Sequence, residues 1–509
     1  MIMKKFLKNI LKFSKKNPKK IAINFNEENL NYNNLINYSN LLIKTFVENN
    51  LSNIGIFGNR TIITIISILA TQLCGKTFIP LNPKLPNERL KKIISSSDLD
   101  CIIVSDKSKD RFLNFNNFCN FKLPIIFPVI QNQKFKKKFQ ISIKNKTSNK
   151  KKVKKLNYSK TSYIMFTTGS TGEPKGVKIS YNNLDSYLIN FNKIEKLKEK
   201  DIVSATFDNS FDLSVHDIFA TLGAGAKLVI FTDEDLLFAI KKIKAKKISI
   251  WFSVPSLIKK IISNPYTKSS SLRSLRLSLF CGEMLPTTSA ISWCKMAKNS
   301  RCINLYGPTE TTIAISYYDF TNYEKSLNKA YISVPIGKVF SGNKFRIKKL
   351  NNNISKDLEK GELLISGSQV SKGYLNNTRE TKRKFIKYQN KVFYKSGDIV
   401  KMDENKKLYF LERSDNQVKI SGYRIEISEI ENTFSKLLKN EEIIVVPEYK
   451  NSVVENLVLF TTQRNLKKRK LLASAQKILP KYMIPKKVKY IKAFPLNQNN
   501  KIDRNQLLT

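Results

Sequence analysis

The sequence YIMFTTGSTGEPKGV, which runs from Tyr163 to Val177, joins a short apolar run to a loop rich in glycine and hydroxyl residues. The apolar run is typical of a buried strand, and the loop ends at Lys175. A loop of this composition presents backbone N–H groups and hydroxyls to an anion, which indicates phosphate binding. It differs from the motif G-x-x-x-x-G-K-[ST], because Pro174 replaces the required glycine and Gly176 follows the lysine. The loop therefore predicts a phosphate site without defining the class of protein.

Short apolar runs and helix-like segments alternate on both sides of this loop. SNIGIFG at 52–58, for example, precedes TIITIISILATQL at 61–73. Alternation of this kind is typical of an α/β protein whose strands are largely parallel. From about Gly337 to Leu411 the pattern changes to hairpin-like β pieces, punctuated by glycine and asparagine. After about Glu412, strands mix with a helix-like segment.

The chain has 509 residues, which is longer than a domain with a single hydrophobic core usually is. This length is sufficient for a large domain followed by a smaller one. Its hydrophobic fraction of 41% is sufficient to offset the entropy lost on folding. We predict an α/β fold whose large N-terminal domain, residues 1–411, combines layered α/β subdomains with a β-rich subdomain. A small α+β C-terminal domain is predicted for residues 412–509.

The formal net charge of +50 suggests at first a polyanionic partner such as nucleic acid or an anionic membrane. Lysine is scattered with asparagine and isoleucine through every segment, however, which indicates a bias of composition rather than a binding stripe. The densest stretch, residues 134–156, is interpreted as a solvated connector. We therefore predict no specific nucleic-acid partner.

The six cysteines form no C-x-x-C pair and the chain has one histidine, so a zinc site is not expected. This usage favours a reduced, cytoplasmic protein. Lysines and an asparagine interrupt the apolar run at the start of the chain, which predicts an amphipathic helix rather than a signal peptide. No segment approaches the roughly 18 uninterrupted apolar residues that a membrane span needs.

Five further motifs follow the loop in order. They are NLYGPTETT at 304–312, GELLISGSQVSKGYLN at 361–376, YKSGD at 394–398, ERSDNQVKISGYRIEISEIE at 412–431 and NNKIDR at 499–504. This ordered set closely resembles the adenylate-forming superfamily of acyl-CoA synthetases, luciferases and peptide-synthetase adenylation domains. Weaker matches to family motifs near Leu30 and Gly75 extend the resemblance across essentially the whole chain.

The resemblance implies an ATP-dependent, Mg²⁺-dependent ligase with residue roles that the residue types can support. Tyr306 would stack on adenine, Thr309 would bond the α-phosphate, and Glu310 would ligate Mg²⁺, which prefers carboxylate and phosphate oxygens. Asp398 would accept hydrogen bonds from both ribose hydroxyls, with Arg413 nearby. The other ATP-binding residues that the resemblance implies are Thr167, Thr168, Gly169, Ser170, Thr171, Gly172, Lys175, Asn304 and Gly307.

The first step needs no general base, because the substrate carboxylate is already the nucleophile that attacks the α-phosphate. In the superfamily the lysine of the last motif, here Lys501, reaches into the site from a mobile small domain. Asn500 stands at the usual glycine position, and asparagine tolerates the left-handed conformation better than most residues. The resemblance places the hinge at Asp415. It also implies that Gly422 lines a channel for a phosphopantetheine arm after the domain turns.

The segment FDNSFDLSVHDIFATL at 207–222 resembles the amino-acid-activating branch of the superfamily. In that branch the aspartate of F-D-x-S-V, here Asp212, binds the ammonium group of the substrate. The family pattern maps the side-chain pocket onto Leu213, His216, Ser253, Leu279, Cys281, Leu305, Ile313 and Ala314.

Two stretches, FDLSVHDI and FCGEMLP, closely resemble the D-alanine:D-alanyl carrier protein ligases. They favour a small amino acid, with D-alanine as the leading candidate. His216 and Leu305 depart from those ligases, where a methionine and a small or hydroxyl residue are usual. We expect His216 to be a pocket wall or a satisfied polar core residue rather than a catalyst, because the chemistry needs no base. Because the chain stops at Thr509, we expect the carrier protein that supplies the thiol to be separate.

Two other functions remain open at this stage. An acyl-CoA synthetase acting on a small carboxylic acid would share every nucleotide motif and lack only a use for Asp212. A basic nucleic-acid-binding protein on an inactive scaffold is more remote. The intact set of Lys175, Glu310, Asp398 and Lys501 argues against an inactive scaffold.

Overall fold

The protein is described here from a computed structural model. It describes residues 3–133, 136–145, 160–169, 173–264, 271–327, 331–349, 360–415, 417–439, 441–450, 453–464, 466–495, 502–504 and 506–508. Lys501, Asn500 and the loop residues Ser170, Thr171 and Gly172 lie outside these described residues.

A seven-stranded sheet carries the predicted phosphate loop. Its strands in chain order are β3 (Asn53–Phe57), β4 (Thr77–Leu81), β5 (Cys101–Val104), β6 (Ile125–Gln133), β7 (Lys136–Lys144), β8 (Thr161–Thr167) and β9 (Lys175–Ser180). Their spatial order is β7-β6-β5-β3-β4-β8-β9. The inner strands are parallel, whereas β6 with β7 and β8 with β9 are antiparallel. The turn from β8 to β9 therefore presents the loop at one end of this sheet.

A nine-stranded sheet forms the second layer. Its strands are β1 (Ile21–Phe25), β2 (Glu28–Asn31), β10 (Ile202–Ala205), β11 (Lys227–Ile230), β12 (Ile250–Ser253), β13 (Leu277–Phe280), β14 (Arg301–Tyr306), β15 (Ser316–Asp319) and β16 (Lys338–Val339). They lie in the order β16-β15-β14-β13-β12-β10-β11-β1-β2. The central strands are parallel and short, as the alternating pattern predicts.

Helices pack between and around these two sheets. Those of the large part of the chain are α1 (Lys5–Lys16), α2 (Tyr32–Glu48), α3 (Ile62–Leu73), α4 (Asn87–Ser95), α5 (Lys109–Cys119), α6 (Tyr181–Ile194), α7 (Leu213–Gly223), α8 (Asp233–Leu237), α9 (Ala239–Ala245), α10 (Pro255–Ser263), α11 (Thr287–Met296), α12 (Tyr323–Ser326) and α13 (Thr378–Lys384). All twelve residues of α3 are buried, which explains why its sequence is apolar all round. The helix α1 buries Phe6, Leu7 and Ile10, so the predicted amphipathic first helix is confirmed.

An antiparallel five-stranded sheet follows, as the hairpin-like pattern predicts. It consists of β17 (Asn343–Lys349), β18 (Lys360–Gly367), β19 (Phe385–Tyr388), β20 (Lys391–Met402) and β21 (Leu408–Arg413). The long strand β20 pairs with β18, β19 and β21. Asp398 lies on this strand, opposite Arg413 of β21.

The last part of the chain has a hydrophobic core of its own. It comprises the hairpin β22 (Gln417–Ile420) and β23 (Tyr423–Glu426), helices α14 (Ile427–Leu437) and α15 (Lys468–Gln476), and a sheet of β24 (Ile443–Lys450), β25 (Val453–Thr461) and β26 (Lys487–Tyr490). Ile425, Ile430 and Phe434 are among the residues of that core. The predicted fold class, layered α/β subdomains with a β-rich subdomain and a small α+β part, is confirmed. The boundary at 411/412 remains a proposal, and β21 continues two residues beyond it.

The interpretation of residues 134–156 as a solvated connector is wrong for part of that stretch. Residues Lys136–Lys144 form β7, which pairs along its whole length with β6. Phe139 and Ile141 alternate with Gln140 and Ser142, which lets one face of this edge strand pack on the core. No helix among the described residues is long and apolar enough to cross a bilayer.

Candidate active site

Asp212 is a buried carboxylate at the start of α7 with no ion-pair partner in the described part of the chain. Its Oδ2 atom accepts a hydrogen bond from the backbone N–H of Ile313 at 3.0 Å. Burial raises the pKa of Asp212 to about 7, although the bond from Ile313 acts in the opposite direction. A buried carboxylate that accepts only backbone hydrogen bonds and pairs with no cation among the described residues is suited to receive a charged ligand.

Six of the predicted pocket residues belong to one large buried hydrophobic cluster. They are Leu213, Leu279, Cys281, Leu305, Ile313 and Ala314. None is more than 5% exposed, and Ile313 contacts Asp212 through its backbone N–H. Burial raises the pKa of the Cys281 thiol to about 12, which keeps the sulfur neutral.

His216 forms the aromatic side of this cluster. Its Nδ1 atom lies 2.9 Å from the hydroxyl of Tyr187. The imidazole packs edge-on against Phe191 and Phe252, with ring centroids 4.5 Å and 5.0 Å away. Burial lowers the pKa of His216 to about 3, so the ring is neutral. This environment agrees with a wall of the pocket, as the sequence predicts.

Ser253 is the one predicted pocket residue that the structure does not bring to this cluster. Its hydroxyl accepts a hydrogen bond from Nε1 of Trp251 at 2.9 Å. Trp251 belongs to the core on the other face of β12, whereas Phe252 lies on the side of His216. Because side chains alternate along a strand, a shift of one residue exchanges the two faces. Phe252 therefore occupies the place that sequence reasoning gave to Ser253.

Glu310 is 2% exposed and lies in the short helical turn Thr309–Thr311 that follows β14. It accepts a hydrogen bond from the hydroxyl of Tyr374 at 2.8 Å. The guanidinium of Arg424 lies 3.2 Å from Oε2. Burial acts to raise the pKa of Glu310, but the charge of Arg424 together with hydrogen bonds from the backbone, Tyr374 and Tyr394 brings the pKa below its usual value. The carboxylate is thus ionised and faces a cation.

Asp398 is 1% exposed on β20 and is also paired with a cation. It accepts hydrogen bonds from Arg413 and from the hydroxyl of Tyr306. Burial opposes ionisation, yet Arg413 holds the pKa of Asp398 below its usual value. Arg413 also donates to both carboxylate oxygens of Asp415, each at 2.9 Å. The predicted ribose carboxylate and the predicted hinge residue therefore share one guanidinium.

Close backbone approaches shape the predicted nucleotide site. A Cβ on Gly169 would lie 2.2 Å from the carbonyl oxygen of Glu173, so the loop admits only glycine there. A Cβ on Gly307 would lie 2.7 Å from the Cα of Ala314. Asn304 donates to the carbonyl of Pro335 at 2.9 Å, while its buried Oδ1 has no hydrogen-bond partner among the residues that the structure describes. A ligand that donates a hydrogen bond would satisfy this oxygen.

Lys175, at the end of the loop, is 10% exposed and pairs with Glu380 at 2.8 Å. On the other side of the loop, the hydroxyl of Thr168 donates to the backbone carbonyl of Arg424 at 2.8 Å. Gly422 has a φ of +83° and donates its N–H to Oε1 of Glu283 at 2.7 Å. The hairpin β22–β23 thus sits against the large part of the chain with Gly422 at the contact.

Sequence reasoning missed four residues that the structure places around the predicted site: Phe252, Tyr374, Glu380 and Arg424. Tyr374 and Arg424 lie within two of the recognised motifs, but sequence reasoning assigned them no role. Their contacts with Glu310 join residues that are 64 and 114 positions apart in the chain. The alternation of faces along β12 was the signal that could have found Phe252.

The model of the AMP-binding enzyme family matches residues 11–375, and the chain belongs to that family. A D-alanine--D-alanyl carrier protein ligase of Bacillus licheniformis is 30% identical, with 99% of each chain covered. Bacitracin synthase 1 of the same species is 31% identical over 97% of this chain, which corresponds to 9% of that much longer relative. The Vibrio cholerae adenylation domain AlmE, solved in complex with glycyl-adenosine-5'-phosphate, superposes with a TM-score of 0.87. That structure is 28% identical in sequence, and the alignment covers 100% of this chain and 98% of that one. The resemblance read from the motifs is confirmed.

The Tyr187–His216 contact yields a prediction about stability. Tyr187→Phe keeps the ring and removes only the hydroxyl that satisfies Nδ1 of the buried imidazole. We expect the free energy of unfolding to fall by about 1–3 kcal/mol, because a buried polar atom loses its partner. Urea unfolding at neutral pH measures the difference. The exposed Tyr449→Phe serves as a control and should change the value by less than about 0.5 kcal/mol. Equal stability of both variants would contradict the prediction.

Proposed function

We propose that this enzyme converts a small amino acid and ATP into an aminoacyl adenylate and pyrophosphate, and then transfers the aminoacyl group to a phosphopantetheine thiol. The observation that carries the proposal is Asp212, a buried carboxylate that pairs with no cation in the described part of the chain. The names of the curated relatives support both the amino acid and the separate carrier protein.

We expect a small substrate side chain, because Phe252, His216 and Cys281 are all buried and would bound the space that this side chain occupies. D-alanine is the first substrate to test, because it appears in the names of relatives that match across the whole chain. Glycine is the second, since the AlmE structure contains a glycyl adenylate.

In the first step an oxygen of the substrate carboxylate attacks the α-phosphorus of ATP. A new P–O bond forms as the bond to the β-phosphate breaks, and pyrophosphate leaves. Asp212 would hold the substrate ammonium group, while Thr309 and Lys501 would orient and neutralise the phosphate oxygens. Asp398 would fix the ribose, and the free Oδ1 of Asn304 would accept a hydrogen bond from the base.

The chain offers Mg²⁺ the single buried carboxylate of Glu310, and the described residues contain no group of three or more His, Cys, Asp or Glu that could hold a metal. That donor set fits Mg²⁺, which commonly binds through one carboxylate and the oxygens of a nucleotide. When bound, the ion would supply positive charge to the phosphates. Glu310 would hold it, and Tyr374 would orient Glu310.

In the second step the carrier thiol attacks the carbonyl carbon of the adenylate. A thioester forms, the thiol proton is lost and AMP leaves. The observed position of Gly422, whose added Cβ would lie 2.8 Å from Cγ1 of Val254, supports a role in lining a narrow passage to this carbon. The six free cysteines are consistent with the reducing, cytoplasmic location that we propose.

The first prediction of this proposal concerns Asp212. In Asp212→Ala the substrate ammonium group would be buried without a partner, so we expect kcat/KM for the amino acid to fall at least about a hundredfold. Because the pKa of Asp212 in the free enzyme is about 7, the wild-type kcat/KM should rise with pH up to that value and then level off. Amino-acid-dependent pyrophosphate exchange measures both.

The control is the deaminated analogue of the best substrate, propionate for alanine. It lacks the ammonium group, so its exchange rate should be no lower in Asp212→Ala than in the wild type. A wild type that prefers propionate would favour the acyl-CoA synthetase alternative. An Asp212→Ala enzyme with unchanged exchange of the amino acid would refute the role of this carboxylate.

The second prediction separates the two half-reactions. Lys501→Ala should abolish adenylate formation yet still transfer from a presynthesised aminoacyl adenylate, because the lysine acts on the phosphate. Gly422→Leu should do the reverse, since a side chain there collides with Val254 and a φ of +83° disfavours it. Pyrophosphate exchange and thioester formation are measured separately on each folded variant. Equal loss of both half-reactions in both variants would rule out two orientations of the small domain.

A further inference from the structure

The turn that follows the motif NLYGPTETT contains two consecutive residues in the left-handed region of backbone conformation. Thr312 has a φ of +62° and Ile313 has a φ of +67°. Residues with a side chain rarely adopt this region, and a β-branched residue such as Ile313 is an outlier there. Backbone of this kind persists only where the surrounding structure holds it, and it is concentrated at functional sites. The turn therefore depends on contacts outside its own sequence.

This turn presents its backbone to Asp212. The N–H of Ile313 donates to Oδ2 of Asp212 at 3.0 Å. The next residue, Ala314, lies so close to Gly307 that a Cβ on Gly307 would be 2.7 Å from the Cα of Ala314. Ile313 and Ala314 are both buried, and both belong to the predicted substrate pocket. The conformation of the turn thus determines the hydrogen bond to Asp212 and the position of two pocket residues.

Gln369 is a fully buried residue that bonds the turn on both sides of Ile313. It lies two residues beyond the end of β18. Its Nε2 donates to the backbone carbonyl of Ala314 at 2.7 Å. Its own backbone carbonyl accepts the hydroxyl of Thr312 at 2.6 Å. These two hydrogen bonds hold the residues immediately before and after Ile313.

Two other elements fix the orientation of Gln369. Its Oε1 accepts hydrogen bonds from the side-chain amides of Asn190 on α6, at 3.0 Å, and Asn343 on β17, at 3.2 Å. Oδ1 of Asn343 accepts the backbone N–H of Gln369 at 3.1 Å. All three side chains are buried, where a satisfied hydrogen-bond network makes the structure rigid. Gln369 therefore connects the turn to α6 and to the antiparallel sheet.

We propose that Gln369 is a positioning residue of the amino-acid site, whose side chain holds the turn at Thr312–Ile313 so that the N–H of Ile313 reaches Asp212. The inference rests on the proposed function in assigning Asp212 to the substrate ammonium group. Without the amide of Gln369, the carbonyl of Ala314 loses its partner and the turn is no longer held against its own preference. The N–H of Ile313 then leaves Asp212, and the effect falls on the amino acid rather than on ATP.

Gln369→Met tests the proposal, because methionine is also unbranched but cannot donate a hydrogen bond to the turn. We expect the KM for the best amino-acid substrate of the wild type to rise at least about fivefold in pyrophosphate exchange, while the KM for ATP changes less than about twofold. Gln72→Met is the matched control. Gln72 is also fully buried, and its Nε2 donates to the backbone carbonyl of Ser162 at 2.8 Å. This variant loses a similar bond in another sheet and should change the amino-acid KM less than about twofold.

The pH dependence of kcat/KM is a readout that lost stability alone does not change. The bond from Ile313 lowers the pKa of Asp212, so its loss in Gln369→Met should shift the rise of kcat/KM to higher pH. Four other ionisable groups interact with Asp212 from neighbouring elements: Glu310, Cys281, Tyr163 and Tyr187. The pKa of Glu310 lies below its usual value and burial raises the pKa of the other three, so none of them changes charge near neutral pH. Gln72→Met should keep the wild-type profile.

Thr312→Gly supplies the reverse test. Glycine adopts a positive φ without a steric cost, so the turn then needs less support. In the double variant Gln369→Met/Thr312→Gly we expect the amino-acid KM to be at least about twofold lower than in Gln369→Met alone. If Gln369→Met does not fold, Asn190→Ala removes one of the two donors to Oε1 of Gln369 and should raise the same KM by a smaller factor.

Hydrogen exchange of residues 311–316 measures the turn without relying on activity. It should be faster in Gln369→Met than in the wild type and unchanged in Gln72→Met. An unchanged amino-acid KM in folded Gln369→Met would overturn the inference, as would equal rises in the KM values for the amino acid and ATP. The same rise in Gln72→Met, or no recovery in the double variant, would also contradict it. Failure of the proposed function is distinct, because the wild type would then activate no amino acid while exchange in the turn would still respond to Gln369→Met.

Discussion

The arrangement of the site depends on how three buried carboxylates obtain counter-charges. Asp212, Glu310 and Asp398 are each no more than 6% exposed, and an unpaired buried carboxylate costs several kcal/mol. Asp398 has Arg413 and Glu310 has Arg424, whereas Asp212 has backbone N–H groups and no cation in the described part of the chain. In the proposed function the ammonium group of the substrate would supply this counter-charge. The raised pKa of Asp212 and the lowered pKa values of the other two express the same difference.

The groups of the candidate site come from separate parts of the fold. Glu310 follows β14 of the nine-stranded sheet, and Asp398 lies on β20 of the antiparallel sheet. The phosphate loop joins β8 to β9 of the seven-stranded sheet, and Arg424 lies on the separate hairpin. This hairpin contributes Val418 and Ile425 to the small core, so the ion pair of Arg424 with Glu310 connects that core to the large part of the chain.

Much of this fold was predictable, because its patterns are local. The alternation of strands and helices, the change to antiparallel hairpins near Gly337 and the order of the motifs are all properties of neighbouring residues. The contact of Arg424 with Glu310 joins positions 114 apart, and no local pattern specifies it. The exchange of Ser253 for Phe252 has another cause, because a shift of one residue along β12 turns a side chain to the opposite face. The edge strand Lys136–Lys144 was missed because its lysines conceal the alternation of Phe139 and Ile141.

Burial keeps two groups of the predicted pocket neutral. It lowers the pKa of His216 to about 3 and raises that of Cys281 to about 12, so neither changes charge near neutral pH. A neutral imidazole bonded to Tyr187 and a neutral thiol offer no proton to the reaction. This suits the proposed first step, because its nucleophile is already an anion and needs no base. In that proposal Asp212 would distinguish an amino acid by its charge, while His216, Phe252 and Cys281 would limit the size of its side chain.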